Sequence, residues 1–336
     1  MKERAMNEGI REFAQWIKSI GLEHTLPRNL SQLESITTLD LNRKKLKSLP
    51  ESIGALQNLS VLKISGNRLT ELPKSISTLK NLRNLQCENN LLERLPEDFG
   101  NLSSLVILNL NGNQLSSLPQ SFYTLTNLTR LTLAVNRLSH LDLAFKNLKK
   151  LLHVNLDTNY FSELPEVFDA MKSLYYLDLS FNKLQSLPES LGDIEELETL
   201  ILEGNLLRNL PSLESHDMLV KLNLNSNHLT TIDFDLSALE DLQILSLENN
   251  QLQTLPCSLC SLSKLTSLNL SANRLIGLPK CIGNLENLYE LDVEDNELKE
   301  LPSSLEKLTK LKNLFIANNH DLRRPNLLTL EYCDIE

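Results

Sequence analysis

The chain has 336 residues, of which 41% are hydrophobic and only 5% aromatic, so it can bury a large core that must consist chiefly of leucine. Its formal net charge of −10 argues against a nucleic-acid binder, which needs a basic surface to neutralise phosphates, and against attraction to anionic lipids. This composition favours a protein partner with a basic or mixed surface, and it predicts neither nucleic-acid binding nor membrane insertion.

Residues 1–25 predict a helical cap at the start of the chain. Apolar side chains recur at helical spacing within residues 3–21: Ile10, Phe13, Ala14, Ile17 and Ile20. The segment lacks the apolar core of a secretory signal peptide, and no run in the sequence approaches the ~20 apolar residues that span a bilayer. We therefore expect a cytoplasmic protein, and export by a route that needs no cleaved signal stays open.

Residues 26–322 consist of one repeated unit. The template L-x-x-L-x-L-x-x-N-x-L occurs thirteen times, as in residues 128–138. Its asparagine recurs every 23 residues, except for one step of 22 between Asn205 and Asn227. All twelve prolines fall on the same lattice. Because chance would not place every proline in register, the sequence predicts a stack of thirteen similar coils.

Each coil is predicted to contain a strand, a bend and a return. The L-x-L alternation is typical of a strand with one buried face, and the asparagine amide can satisfy backbone groups at the bend. The first copy carries Lys44 at the asparagine position, where the coil has a neighbour on one side only. Proline suits an extended return, and Asp142 and Asp233 replace it in two coils as turn or capping residues, with partner contact as the alternative. Residues 323–336, where the repeat decays, predict a short acidic cap.

This repeat resembles the leucine-rich-repeat family over roughly residues 26–330, and its L-P spacer resembles the intracellular subtype. That subtype occurs in Ras-associated scaffolds, plant intracellular proteins and bacterial effectors. The resemblance implies an α/β fold, a right-handed horseshoe-shaped solenoid with a parallel β-sheet on the concave side and an irregular convex side. The cysteine-rich caps that are usual in the extracellular subtype are absent from this sequence.

The sequence contains no catalytic or metal-binding motif that we recognise. A glycine-rich phosphate loop and an H-E-x-x-H motif are missing, and the six histidines lack metal-ligand spacing. The five cysteines are an odd number scattered along the chain, which predicts no disulfide framework and a reducing environment. Cys257 and Cys260 form a C-x-x-C that is either a redox or metal pair or two variable spacer positions, and we favour the second interpretation. We expect neither enzymatic activity nor a cofactor.

The middle of the concave face is the candidate binding site. In several coils the residues that flank the strand leucines are apolar, aromatic or charged: Ile107, Arg130, Val135, His153, Tyr175, Tyr176, Asp178, Phe181 and Ile201. Stacking by 23 residues should align Ile107, Arg130, His153 and Tyr176 in one column. This composition is typical of an interface hot spot, although aromatic rings can also simply cover a neighbouring strand.

A second candidate site is acidic. Glu290, Asp292 and Glu294 crowd one coil, beside Tyr289 and Asp295. Clustered carboxylates repel each other, so they suggest a basic partner segment or a bound cation, or else a solvated face of an acidic protein.

These observations favour a monomeric scaffold that binds a partner protein on the concave face between the fourth and eighth coils. The resemblance adds that such a protein can be a bacterial effector acting on host signalling or ubiquitination. The alternative is a structural or regulatory scaffold that acts through its convex side or by self-association.

Overall fold

The structure is a computed structural model that describes residues 2–24, 27, 29–322 and 332–334. At residues 2–7 and 332–334 only the backbone is described. The chain forms two compact units, Met1–Asn159 and Tyr160–Glu336.

The first unit starts with two α-helices and continues with short parallel strands. Its elements are α1 (Lys2–Ser19), α2 (Leu30–Glu34), β1 (Thr38–Asp40), β2 (Val61–Lys63), β3 (Asn84–Gln86), β4 (Ile107–Asn109), β5 (Arg130–Thr132) and β6 (His153–Asn155). Each strand pairs in parallel with the next at an offset of one repeat, as in Ile107 with Arg130. Between the strands lie the 3-10 helices Glu51–Ala55, Lys74–Thr78, Phe99–Asn101, Gln120–Thr124 and Leu143–Asn147.

The second unit repeats this arrangement. Its strands are β7 (Tyr176–Asp178), β8 (Thr199–Ile201), β9 (Lys221–Asn223), β10 (Ile244–Ser246), β11 (Ser267–Asn269), β12 (Glu290–Asp292), β13 (Asn313–Phe315) and β14 (Tyr332–Asp334). Its 3-10 helices are Phe168–Ala170, Glu189–Asp193, Leu236–Ala238, Cys257–Ser261, Ile282–Asn284 and Ser303–Lys307. Strand β14 pairs in parallel with β13 although the sequence predicts thirteen strands, so residues of the expected cap extend the sheet. The rest of that cap, from residue 323 onward, lies outside the described residues.

Helix α1 covers one side of the first coil, as its amphipathic pattern predicts. Ile10, Phe13 and Ile17 are buried, and the helix packs against the 3-10 helix Glu51–Ala55. The approach is so close that a Cβ atom on Gly9 would lie 2.8 Å from the Cβ of Ala55. The apolar face of the helix therefore replaces the neighbour that the first coil lacks.

The asparagine column satisfies the backbone at every bend that it occupies, and Asn136 shows the pattern. Its Nδ2 donates to the carbonyl oxygens of Leu133 at 2.9 Å and Leu110 at 3.0 Å, and its Oδ1 accepts from the backbone N–H of Leu115 at 3.1 Å. These bonds link each coil to the preceding one, which confirms the predicted role of the amide. In the first coil, where Lys44 stands instead, the backbone N–H groups of Lys44 and Leu46 both donate to Oδ1 of Asn67.

The return segments combine extended proline with a 3-10 turn. Pro50 has φ −75° and ψ 152° and precedes the helix Glu51–Ala55. Asp142 occupies the same place before Leu143–Asn147, and its side chain accepts from the backbone N–H of Ala144 at 2.7 Å. The capping interpretation of Asp142 is thereby confirmed. In the other coil that lacks proline, the capping carboxylate belongs to Asp235, not to Asp233.

Candidate binding surface

Strand geometry decides which side chains leave the core. In β5 the central Leu131 is fully buried while Arg130 is exposed, because successive side chains of a strand point to opposite faces. We call the outward side the strand face of each unit.

In the first unit three predicted binding residues form one column on the strand face. Ile107 pairs with Arg130, and Arg130 pairs with His153. His153 is half-buried, and its pKa is lowered to about 4 because burial disfavours the charged imidazole and Arg130 adds positive charge nearby. At neutral pH the column therefore presents an aliphatic side chain, a guanidinium group and an uncharged imidazole.

In the second unit Tyr176, Asp178 and Ile201 come from neighbouring strands. Asp178 pairs with Ile201 across the β7–β8 ladder, and the hydroxyl of Tyr176 donates to Oδ2 of Asp178 at 3.3 Å. Asp178 itself is buried, and its Oδ1 accepts from the backbone N–H of Ser180 at 3.0 Å. The Asp178 carboxylate therefore bonds to the backbone at the end of the strand and orients the hydroxyl of Tyr176. The side chains that are at least partly exposed on this surface are those of Tyr175, Tyr176 and Ile201.

The residue before each asparagine of the column adopts a left-handed backbone conformation. This holds in every coil from the second to the thirteenth, at Gly66, Asn89, Gly112, Val135, Thr158, Phe181, Gly204, Ser226, Asn249, Ala272, Asp295 and Asn318. Glycine, asparagine and aspartate accept this conformation readily, whereas β-branched and bulky residues do so at a conformational cost. Val135 has φ 55° and Phe181 has φ 49°, so the backbone disfavours the side chain at both positions.

Burial does not compensate for that cost. Val135 is 51% exposed and Phe181 is 53% exposed. The ring of Phe181 lies over Gly204 of the next coil, where a Cβ atom would be only 2.6 Å from its Cδ1. Glycine at position 204 therefore provides both the positive φ of 66° and the space for the ring.

On the second unit, two of the residues that directly follow an asparagine of the column are exposed and apolar, and neither is among the residues predicted from the sequence. Tyr160 is 50% exposed and Leu206 is 39% exposed, and both follow an asparagine of the column, at the end of the strand segment. Between them in the stack is Lys183, whose Nζ lies 5.0 Å from the ring centroid of Tyr160. Most other coils carry a polar residue at this position, so an apolar residue there is the signal that could have indicated them. Together with Phe181 they form an apolar edge on the second unit.

The acidic coil is held by internal hydrogen bonds. Glu290 accepts from Nδ2 of Asn313 at 3.2 Å, and Oδ1 of Asp292 accepts from the backbone N–H of Glu294 at 3.0 Å. Burial raises the pKa of Asp292, and the negative charges of Glu248 and Glu290 add to the increase. The structure thus brings the carboxylates of Glu248, Glu290 and Asp292 within electrostatic reach of each other, and Glu294 contributes its backbone N–H. In the part of the chain that is described, no group of three or more His, Cys, Asp or Glu residues is arranged to hold a metal ion.

Two cysteines form a disulfide that the sequence analysis does not predict. Cys260 lies in the 3-10 helix Cys257–Ser261 and Cys281 directly precedes the helix Ile282–Asn284, and their Cα atoms are 5.7 Å apart. Residues that are scattered in the sequence become neighbours because the coils stack, so counting cysteines along the chain overlooks this pair. Because this disulfide is present, the number and spacing of the cysteines no longer support a reducing compartment. Cys257 keeps a free, exposed thiol, and Cys87 is buried at a position that leucine occupies in most coils.

Comparison with known proteins identifies the family. The leucine-rich-repeat model matches residues 57–115, 80–138, 126–184, 164–207 and 217–275, which together exceed half of the chain. The chain therefore belongs to the leucine-rich-repeat family, and its fold is the α/β leucine-rich-repeat solenoid. None of the curated proteins compared with this chain matches it.

Solved structures support this assignment. A leucine-rich-repeat protein of Leptospira interrogans is 31% identical, with a TM-score of 0.78 over 93% of this chain and 92% of its own. The plant peptide hormone receptor RGFR1, solved in complex with RGF2, is 30% identical with a TM-score of 0.78, and 92% of this chain covers 53% of the receptor chain. The functional domain of InlJ from Listeria monocytogenes, which includes a cysteine ladder, is 27% identical with a TM-score of 0.71 over 86% of this chain and 64% of its own. The chain thus spans about half of the plant receptor and nearly all of the leptospiral protein.

Leucine-rich-repeat proteins generally mediate protein–protein interaction, and their scaffolds are typically non-enzymatic. One of these structural neighbours, the plant peptide hormone receptor, was solved in a complex. Among the described residues, none of the helices combines the length and the apolar composition needed to cross a bilayer.

Proposed function

We propose that this chain is a non-catalytic scaffold that binds a partner protein through the strand face of its units. In the first unit the proposed surface consists of Val135, as the anchor, and of the column Ile107, Arg130 and His153. In the second unit the anchor is Phe181, and Tyr175, Tyr176 and Ile201 complete the proposed surface.

The carrying observation is the pair of exposed apolar side chains in left-handed backbone. Val135 and Phe181 stand where glycine or asparagine serves the fold better, and neither side chain is buried in return. Backbone strain at residues whose side chains stay about half exposed is characteristic of functional positions. Exposed aromatic and aliphatic groups next to an arginine also match the composition of binding hot spots.

The charge of the second unit supports a partner with basic groups. Glu290, Asp292 and Glu294 lie on and beside β12, with Tyr289 exposed next to them. A basic segment would neutralise carboxylates that otherwise repel each other, and it would be steered towards an acidic protein. Asp178 contributes indirectly, by holding the hydroxyl of Tyr176.

The proposal includes the setting in which the scaffold works. The L-P spacer supports an intracellular place of action, and the resemblance to bacterial effectors supports delivery into a host cell. We include monomeric function in the proposal. Light scattering on the purified chain tests whether it is a monomer. A translocation reporter fused to the full chain tests delivery into a host cell.

Affinity capture with the double variant Val135→Gly/Phe181→Gly tests the binding surface. Glycine suits the backbone at both positions, so the variant should stay folded while it loses the two anchors. Ala272→Gly is the matched control, because Ala272 has the same left-handed conformation, lies four coils after Phe181, and the change leaves every carboxylate of the acidic coil in place. We expect wild type and the control to retain the same partner and the double variant to lose it.

A partner that all three proteins retain equally would contradict the assignment of these anchors. It would favour the alternative scaffold that acts through the convex side or by self-association, where Leu143 is 59% exposed on a 3-10 turn. Leu143→Ser is the variant that then separates the two surfaces.

A further inference from the structure

Three cysteines lie together on the 3-10 side of the second unit. Cys257 and Cys260 share the helix Cys257–Ser261, and Cys281 precedes the helix Ile282–Asn284. Cys260 is bonded to Cys281, and Cys257 carries a free thiol exposed to solvent. The Sγ atom of Cys281 lies 3.8 Å from the carbonyl oxygen of Cys257, so the free cysteine is adjacent to the disulfide.

Cys260 has a second partner within reach. In a 3-10 helix, residues i and i+3 lie one above the other after a rise of about 6 Å. That separation falls within the Cα distances of about 4.4–6.8 Å that disulfides require. Cys257 and Cys260 are three residues apart in such a helix, so the geometry permits a Cys257–Cys260 bond in place of the Cys260–Cys281 bond.

We propose that Cys257, Cys260 and Cys281 form a thiol–disulfide exchange site whose external substrates are low-molecular-weight thiols and disulfides of the glutathione class. In the internal step the thiolate of Cys257 attacks Sγ of Cys260. The Cys257–Cys260 bond forms, the Cys260–Cys281 bond breaks, and Cys281 leaves as a thiolate that takes up the proton lost by Cys257. No electrons are gained or lost overall. Full reduction uses two molecules of the external thiol, which are oxidised to one disulfide.

The exchange changes what the disulfide connects. The Cys260–Cys281 bond joins the 3-10 turns of two successive coils, whereas a Cys257–Cys260 bond lies within a single turn. Exchange would therefore release a covalent link between neighbouring coils while the chain stays oxidised. Cys87 offers an internal contrast, because its thiol is buried and burial raises its pKa, so it should remain unreactive in the folded chain.

Disulfide mapping by mass spectrometry tests the site. The full chain, with Cys333→Ser in every variant, is incubated with mixtures of reduced and oxidised glutathione, quenched with acid, alkylated and digested with trypsin without reduction. Cys257 and Cys260 fall in one tryptic peptide, 222–264, and Cys281 falls in another, 281–299. A Cys260–Cys281 bond gives cross-linked peptides, whereas a Cys257–Cys260 bond gives a single peptide that is two hydrogens lighter.

We expect both products in the parent protein, with the free thiol divided between Cys257 and Cys281. Cys281→Ser should form the internal Cys257–Cys260 bond, and Cys257→Ser should give the cross-linked peptides alone. An unlabelled Cys87 in the native protein verifies that the chain stays folded. The proposal is overturned if the free thiol stays on Cys257 alone after prolonged incubation, and Cys281→Ser forms no internal bond. It is overturned equally if no bond to Cys260 forms under oxidising conditions.

Discussion

At the residue before each asparagine of the column, the side chain that best suits the backbone conformation differs from the side chain that would favour binding. All described coils from the second to the thirteenth bend through left-handed backbone there, which the sequence pattern does not reveal because the position varies freely. Val135 and Thr158 are costly occupants, since a β-branched side chain is crowded by its own backbone when φ is positive, and of the two only Val135 is apolar. Val135 is apolar and 51% exposed in this conformation, which is why we propose it as the anchor of the binding surface in the first unit.

Val135→Gly should leave the free energy of unfolding unchanged or raise it by as much as about 1 kcal/mol. Relief of left-handed strain, roughly 1–2 kcal/mol, outweighs or balances the greater flexibility of glycine in the unfolded chain. Val106→Gly is the control, because Val106 lies on the same unit without positive φ, and glycine there should destabilise the fold. Urea unfolding measures both variants. A loss of more than about 1 kcal/mol in Val135→Gly would show that the side chain stabilises the fold.

His153 provides a pH-dependent contribution on the same surface. Its pKa is lowered to about 4 in the folded chain, first by burial and then by Arg130, from about 6.5 in the unfolded chain. The unfolded chain therefore binds the proton more readily, so the contribution of His153 to stability is complete above pH 6.5 and declines as the pH falls towards 4. An NMR titration of the imidazole should show a midpoint near 4. Arg130→Gln should move the midpoint only part of the way towards 6.5, because burial remains, and a wild-type midpoint near 6.5 would rule out the burial.

At the scale of the coil, the asparagine is the element that makes stacking specific. Leucines provide the apolar area, but their burial is non-directional, whereas the amide of Asn136 fixes three backbone groups in two coils. The periodicity of the sequence suffices to predict this role. One asparagine recurs in each coil next to the bend, and the backbone groups of that bend need hydrogen-bond partners. The 3-10 turns, in contrast, are not predictable from the prolines alone, because a fixed φ is compatible with several continuations.

Asn136→Ala should lower the free energy of unfolding by about 3 kcal/mol or more. The change leaves buried donor and acceptor groups of Leu110, Leu115 and Leu133 without their partner, and each such loss costs about 1–3 kcal/mol. Asn127→Ala is the matched control, since Asn127 makes an exposed bond to the carbonyl oxygen of Ser103 and should cost less than about 1 kcal/mol. Equal losses in the two variants would mean that the buried column is no more important than a surface amide.

For the whole molecule, the repeat makes the fold predictable from the sequence, but it predicts only part of the candidate site. The 23-residue lattice predicts the strands, their register and the buried leucines, because every coil must bury the same face. It also aligns Ile107, Arg130 and His153 correctly. What it cannot give is geometry that depends on stacking between coils, such as the space above Gly204 for the ring of Phe181.

The terminal coils of the repeat array need a covering element, which internal coils do not need. Each coil is covered by its neighbours, so a terminal coil exposes an apolar face unless another element covers it. Helix α1 meets this need by placing Ile10, Phe13 and Ile17 in the core beside the helix Glu51–Ala55. Its contribution is therefore to solubility as much as to stability.

Deletion of residues 1–21 should make the chain self-associate and bind a hydrophobic dye such as ANS. The deletion uncovers the first coil, whose Ile53 and Leu56 are fully buried in the intact protein. Phe13→Asp should act in the same direction more weakly, because a buried carboxylate without a partner favours detachment of the helix. Glu12→Ala, at an exposed position of the same helix, is the control and should behave as wild type. Light scattering and dye fluorescence decide the outcome: a truncated chain that stays monomeric and binds no dye would show that the first coil needs no cover.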